Sequence, residues 1–202
     1  MIDLFGRVPV HMRQWVRHMI ALPDPNGGHA YNSNGNIAMF NRIDGDLTVF
    51  LHETGHSLDG LGAYADTPFH DAKTWIDNYN LDSNTADPYA QSSQVENMAQ
   101  ITVVAVYNEV IPFGFSTVEK NYMGIFHQYA TLQTEADKAG NILKSGGSCT
   151  HRLQNSNPVT GGAGKKMRRS AAGLKPDVSL KGNVTVIQGK QFDTSADCKH
   201  SW

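Results

Sequence analysis

The sequence predicts an α+β fold, mainly helical, with a small sheet and a weakly structured C-terminal extension. Three observations support this. Apolar residues recur at helical spacing in several stretches up to about residue 139, strand-like sequence is confined to one short hairpin, and charge and composition change near residue 138. With 40% hydrophobic and 18% charged residues, the chain reads as globular, since a wholly disordered one would be less apolar and carry more net charge. No apolar run approaches the ~18–20 residues of a membrane span. The start, Met1-Ile-Asp-Leu-Phe-Gly-Arg7, has neither a basic n-region nor an apolar h-region, so no signal peptide is expected.

From the N-terminus, residues 9–22 predict an amphipathic helix, with Pro9 in its first turn and Met12, Trp15, Val16, Met19 and Ile20 on one apolar face. Pro23 to Gly28 stops it. Ala30-Tyr31, a turn through Asn32 to Gly35 and Ile37 to Phe40 read as a hairpin. Asp44 or Asp46 can cap a helix from Leu47 to Asp59, ended by Gly60 and Gly62. A short helix is expected over 67–79, a polar loop over 80–88, and a largely buried helix over 92–108 containing Val95, Met98, Ile101, Val103 and Val106. Pro112-Phe113-Gly114 breaks the chain, and 117–139 predicts the last helix.

The near-neutral net charge of -2 hides an asymmetry: residues 1–137 hold 6 basic against 16 acidic side chains, and residues 138–202 hold 11 against 3. Residues 1–144 are expected to form the folded domain and 145–202 a basic, Gly-rich extension. No stacking aromatics interleave Lys165, Lys166, Arg168 and Arg169, so a solvated tail is favoured over a nucleic-acid arm. Cys149 and Cys198 could close a loop of about fifty residues worth ~3–4 kcal/mol, or remain thiols. Asn183-Val184-Thr185 matches a glycosylation acceptor pattern.

The most informative residues are His52-Glu53-Thr54-Gly55-His56. Histidines at i and i+4 share one side of a helix, so both imidazoles can reach one metal ion. Neutral imidazole suits zinc, and a glutamate between the two can face a metal-bound water and act as general base. Three residues compete as third ligand. Asp59 shares the helical face but lies ~7 Å further along the axis than the histidine pair, at ~1.5 Å per residue, which suits a supporting role better. Glu96 is the stronger candidate, because a carboxylate on an otherwise apolar helix needs a partner or a metal. His127 reads more simply as a partly buried helix residue.

This pattern resembles the zincin metallopeptidases of the gluzincin type, in which HExxH is completed by a glutamate on a later helix. Tyr89, seven residues before Glu96, matches the peptidase domain of anthrax lethal factor and its relatives. The runs 52–59 and 87–100 are closer still to a conidiation-specific metallopeptidase family of filamentous fungi. The resemblance covers roughly residues 10–135. It implies a zincin-like metallopeptidase domain over 1–144, with Zn2+ on His52, His56 and Glu96, Glu53 as general base and Tyr89 as donor to the oxyanion. It implies a peptide or protein substrate, added along the edge of strand 37–40, and a secreted protein. A monomer with no membrane or nucleic-acid partner is expected. The residues before Asp46 leave room for only part of the usual zincin sheet. The rival reading is a catalytically inactive secreted or spore-associated binding or structural protein that retains a zinc site.

Overall fold

The computed structural model describes residues 1–23, 28–40 and 46–157 and the backbone of 185–186. The chain opens with two short helices, α1 (Ile2–Arg7) and α2 (Val10–Arg13), and then enters strand β1 (His18–Leu22). The single helix expected over 9–22 is therefore corrected. Met12 and Val16 are buried as an apolar face requires, but Arg17 N–H donates to the Gly35 carbonyl and the next five residues pair in parallel with β3 (Asn36–Phe40). Pairing with a distant strand outweighs the local periodicity.

The expected hairpin is present. Strand β2 (His29–Ser33) runs antiparallel to β3, and the two turn residues Asn34 and Gly35 have φ of 53° and 78°. Positive φ at both positions is the Asn-Gly signature of a tight type I′ hairpin turn. The sheet order is β1-β3-β2, so β3 lies at its centre. The expectation that 37–40 forms an open edge is corrected: both sides of β3 are paired, and the edges belong to β1 and β2. Ile37 and Met39, on the inner face, are buried, and Asn32 on the same face ties the sheet to the next helix, its Nδ2 donating to the Glu53 carbonyl and to Ser57 Oγ.

That helix, α3 (Leu47–Gly60), is capped by Asp46, whose carboxylate accepts from Thr48 N at 2.8 Å. Asp44, the other cap candidate, lies outside the described residues. After a loop come a 3-10 turn (Phe69–Asp71) and α4 (Lys73–Leu81), in place of the single helix expected over 67–79. A two-residue strand β4 (Asn84–Thr85) precedes the central helix α5 (Gln94–Val110), which Ser93 caps through Glu96 N. Helix α5 packs against α3 on one side and against the last helix, α6 (Phe126–Lys138), on the other.

The expected helix over 117–139 thus starts nine residues late. Its effective cap is remote in sequence. The buried Asp82 carboxylate accepts from His127 N at 3.0 Å and Gln128 N at 2.9 Å, satisfying the free donors of the first turn.

Residues 148–156 run along the start of the domain. Thr150 N and Oγ1 donate to Gln14 Oε1, Asn36 Nδ2 donates to Ser156 Oγ, and the His151 ring sits edge-on to Trp15 at 4.7 Å. Thr185–Val186 (β5) pairs in parallel with β4. The basic run 165–169, Asn183, Val184, Ile187 and Cys198 lie outside the described residues, and so does the question of the Cys149–Cys198 bridge. No helix among the described residues is long and apolar enough to cross a membrane.

Candidate metal centre

The site is built where α3 crosses α5. The crossing is close at Gly55, where an added Cβ would stand 3.0 Å from Thr102 Oγ1 and 3.2 Å from Ala99 Cα on α5. Glycine is therefore required there by approach rather than by backbone angle. One turn apart on this stretch of α3, His52 and His56 present their rings edge to face with centroids 4.7 Å apart. Their Nε2 atoms are 3.1 Å from each other.

Glu96 comes from the first turn of α5, placed by the Ser93 cap. Its Oε2 is 3.1 Å from His52 Nε2 and 3.4 Å from His56 Nε2. Three potential ligand atoms thus form a triangle with sides of 3.1, 3.1 and 3.4 Å. Four N/O ligands at ~2.0–2.1 Å in a tetrahedron stand about 3.3 Å from one another, so the triangle has the dimensions of one face of a zinc site. No other group of three or more His, Cys, Asp or Glu among the described residues converges in this way.

The electrostatics fit a cation. Glu53, on the same helix, is buried, and its Oε2 has no hydrogen-bond partner among the described residues. Burial pushes its pKa up, against the pull of His56 and His52, and the neighbouring Glu96 charge raises it further. Burial also opposes ionisation of Glu96, but contacts with His52 and His56 outweigh it and hold that carboxyl well below the usual range. Two carboxylates in one largely buried site supply the charge that a divalent cation neutralises. His52, His56 and Glu96 would hold such an ion, with Glu53 balancing its charge from outside the ligand set.

The remaining sequence candidates fall differently. Asp59 is turned to another residue: its Oδ1 accepts from His70 N at 2.8 Å and its Oδ2 from His70 Nδ1 at 2.6 Å. His127 pairs with Asp82 at 2.8 Å, away from this site. Tyr89, 55% exposed, lies at the mouth of the site with its ring centroid 5.7 Å from that of His52. Partial burial, then the charge and hydrogen bonding of Glu96, push its hydroxyl up to about 12. Sequence reasoning missed Gln100 and Asp87. Gln100 Oε1 is 2.9 Å from His52 Nδ1, and Gln100 Nε2 donates to Asp87 Oδ2. The spacing carried the signal for Gln100, since it stands four residues after Glu96 on the same helix face.

Residues 1–128 match the family model of conidiation-specific protein Con-13. A protein of Neurospora crassa, Conidiation-specific protein 13, is 29% identical over 108 residues, which are 52% of this chain and 32% of the relative. The chain therefore spans about a third of the length of that relative. These matches overturn the identification as a zincin metallopeptidase and the reading as a peptide-bond hydrolase. The family is named for conidiation, neither match bears a peptidase name, and HExxH fixes the geometry of two ligands without fixing what a bound ion is used for. Of the resemblance drawn from the sequence, the conidiation-specific part holds: the chain belongs to the conidiation-specific protein Con-13 family.

Proposed function

We propose that this chain is a non-catalytic, spore-associated protein whose domain holds one zinc ion as a clasp between α3 and α5. The observation that carries this reading is the triangle of His52 Nε2, His56 Nε2 and Glu96 Oε2, three acceptor atoms meeting at 3.1–3.4 Å where a proton or a cation must separate them. Glu53, buried beside the triangle with an unpartnered carboxyl oxygen, adds a second acidic group to the same site. Nitrogen and oxygen donors in this ratio suit zinc better than the all-oxygen sets preferred by magnesium or calcium. Three protein ligands leave the fourth position to water or to a donor group from a partner.

An ion bound only by the folded chain stabilises it by mass action, about 2.7 kcal/mol when free zinc stands at 100 times Kd. The test is titration of the metal-free full chain with zinc against a chromophoric chelator, followed by thermal unfolding. One zinc per chain and a melting temperature that rises with free zinc are expected. His52→Ala and Glu96→Ala should each remove both effects. Zinc uptake that survives these substitutions would refute the clasp.

A further inference from the structure

Asp87, Gln100 and His52 form a hydrogen-bonded chain that ends on Nδ1 of the imidazole, the ring nitrogen turned away from the ligand triangle, and its direction is fixed by chemistry. The Asp87 carboxylate already accepts from Ala90 N through Oδ1 at 2.8 Å, and an ionised carboxylate has no proton to give. The Gln100 side chain must therefore turn its NH2 group towards Asp87 Oδ2, which leaves its carbonyl Oε1 facing His52 Nδ1 at 2.9 Å. A carbonyl oxygen accepts only, so Nδ1 of a neutral His52 carries the ring proton. Nε2 is left as a bare lone pair, aimed at the triangle shared with His56 and Glu96.

The alternative tautomer has a definite consequence. With its proton on Nε2, His52 would point that proton into the triangle, where His56 Nε2 and Glu96 Oε2 each lie 3.1 Å away, and would leave Gln100 Oε1 without a donor. An incoming ion would then have to displace a proton from its own ligand atom. We propose that Asp87 and Gln100 are positioning residues which hold His52 in the Nδ1–H tautomer, with its Nε2 lone pair turned to the triangle. This rests on the zinc reading above and extends it to two residues outside the ligand set. The relay also ties the Asp87–Ser92 bend, which carries Tyr89, to the metal-binding face of α5.

Outer-shell partners of metal-bound histidines typically contribute ~10–100-fold in metal affinity. The test uses the full chain labelled with 15N. In the metal-free wild type, above the pH at which the His52 ring signals cease to move, the ring-nitrogen spectrum should place the His52 proton on Nδ1. Gln100→Leu should move it to Nε2 and weaken zinc by ~10–100-fold in chelator competition. Asp87→Ala should weaken zinc less, because Gln100 can still present its carbonyl. The double variant should be no weaker than Gln100→Leu alone, since both residues act through one chain. A merely structural tie would lower the melting temperature without moving the ring proton. An Nε2 proton in the wild type, or unchanged zinc affinity in folded Gln100→Leu, would overturn the proposal. A wild type with the Nδ1 proton that binds no zinc would overturn the zinc reading instead, and with it any role of the relay in metal binding.

Discussion

Asp59 and His70 are joined twice, backbone N–H to Oδ1 and ring Nδ1 to Oδ2, at 2.8 and 2.6 Å. This bidentate contact occupies the carboxylate that stands three residues after His56 and anchors the end of α3 to the 3-10 turn at Phe69–Asp71. The helix supplying both histidines is thereby held at its C-terminal end by a polar latch and at its N-terminal end by the Asp46 cap.

Substitution at Asp59 and at Glu96 should therefore separate stability from metal binding. Asp59→Ala leaves a buried acceptor site empty and the His70 donors unpaired, and should lower stability by ~1–3 kcal/mol. Its zinc affinity should stay within about tenfold of wild type, the lower end of an outer-shell effect. Glu96→Ala should bind zinc far more weakly than that. Denaturant melts with zinc competition on the same samples make the comparison.

Gly55→Ala tests the helix crossing. Alanine is the better helix former by ~1 kcal/mol, which taken alone would stabilise α3. Here its Cβ meets Ala99 Cα at 3.2 Å, a backbone atom that moves only with the whole of α5. Overpacking of this kind costs ~1–3 kcal/mol and should exceed the propensity gain. Separating the helices also stretches the distance from the histidines to Glu96, so the variant should lose both stability and zinc affinity. A stabilised variant with intact zinc binding would contradict a crossing this close.

Glu53→Gln tests the charge balance. In the metal-free form it removes a buried, unpaired carboxylate, so stability should hold or rise slightly. In the presence of metal it removes one of two negative charges near the ion, and zinc affinity should fall by about tenfold while stoichiometry stays at one. Calorimetry with and without zinc reads both signs.

The pH dependence of the metal-free protein follows from His70. Burial disfavours its imidazolium, but the bond and charge of Asp59, with Asp71 beyond, outweigh this and raise its pKa above the usual value. A raised folded-state pKa contributes stability that is fully present below the unfolded value of ~6.5 and is lost as pH climbs through the folded value. His52 is shifted in the same direction: burial is outweighed by Glu96 and Glu53. Metal-free stability should therefore decline from about pH 6 upwards, and His70→Gln should flatten part of that decline. Zinc affinity should rise over the same interval, because its histidine ligands must be neutral. Parallel rather than opposed trends would contradict the assignment.

Much of the site was legible because its signals are local. The i, i+4 histidines, the Asp46 cap and the costly carboxylate of Glu96 on an apolar helix can each be read within a few residues. What escaped the sequence depends on distant partners. His18–Leu22 is extended because β3 lies beside it, and α6 begins where Asp82, some forty residues upstream, reaches its first turn. Gln100 carried only the weak signal of its spacing from Glu96, and Asp87, a loop carboxylate, carries no metal signature until Gln100 is seen between it and His52. The use of the site was over-read: HExxH describes how two histidines converge, and the family match removed the peptidase that had been inferred from it.

Anomalous scattering at the zinc absorption edge, on crystals of the full chain grown with zinc, addresses the central claim most directly. The account predicts one strong peak within coordination distance of His52 Nε2, His56 Nε2 and the Glu96 carboxylate, with Asp59 still on His70 and His127 still on Asp82. A peak elsewhere, or none at this triangle in zinc-saturated crystals, would contradict it.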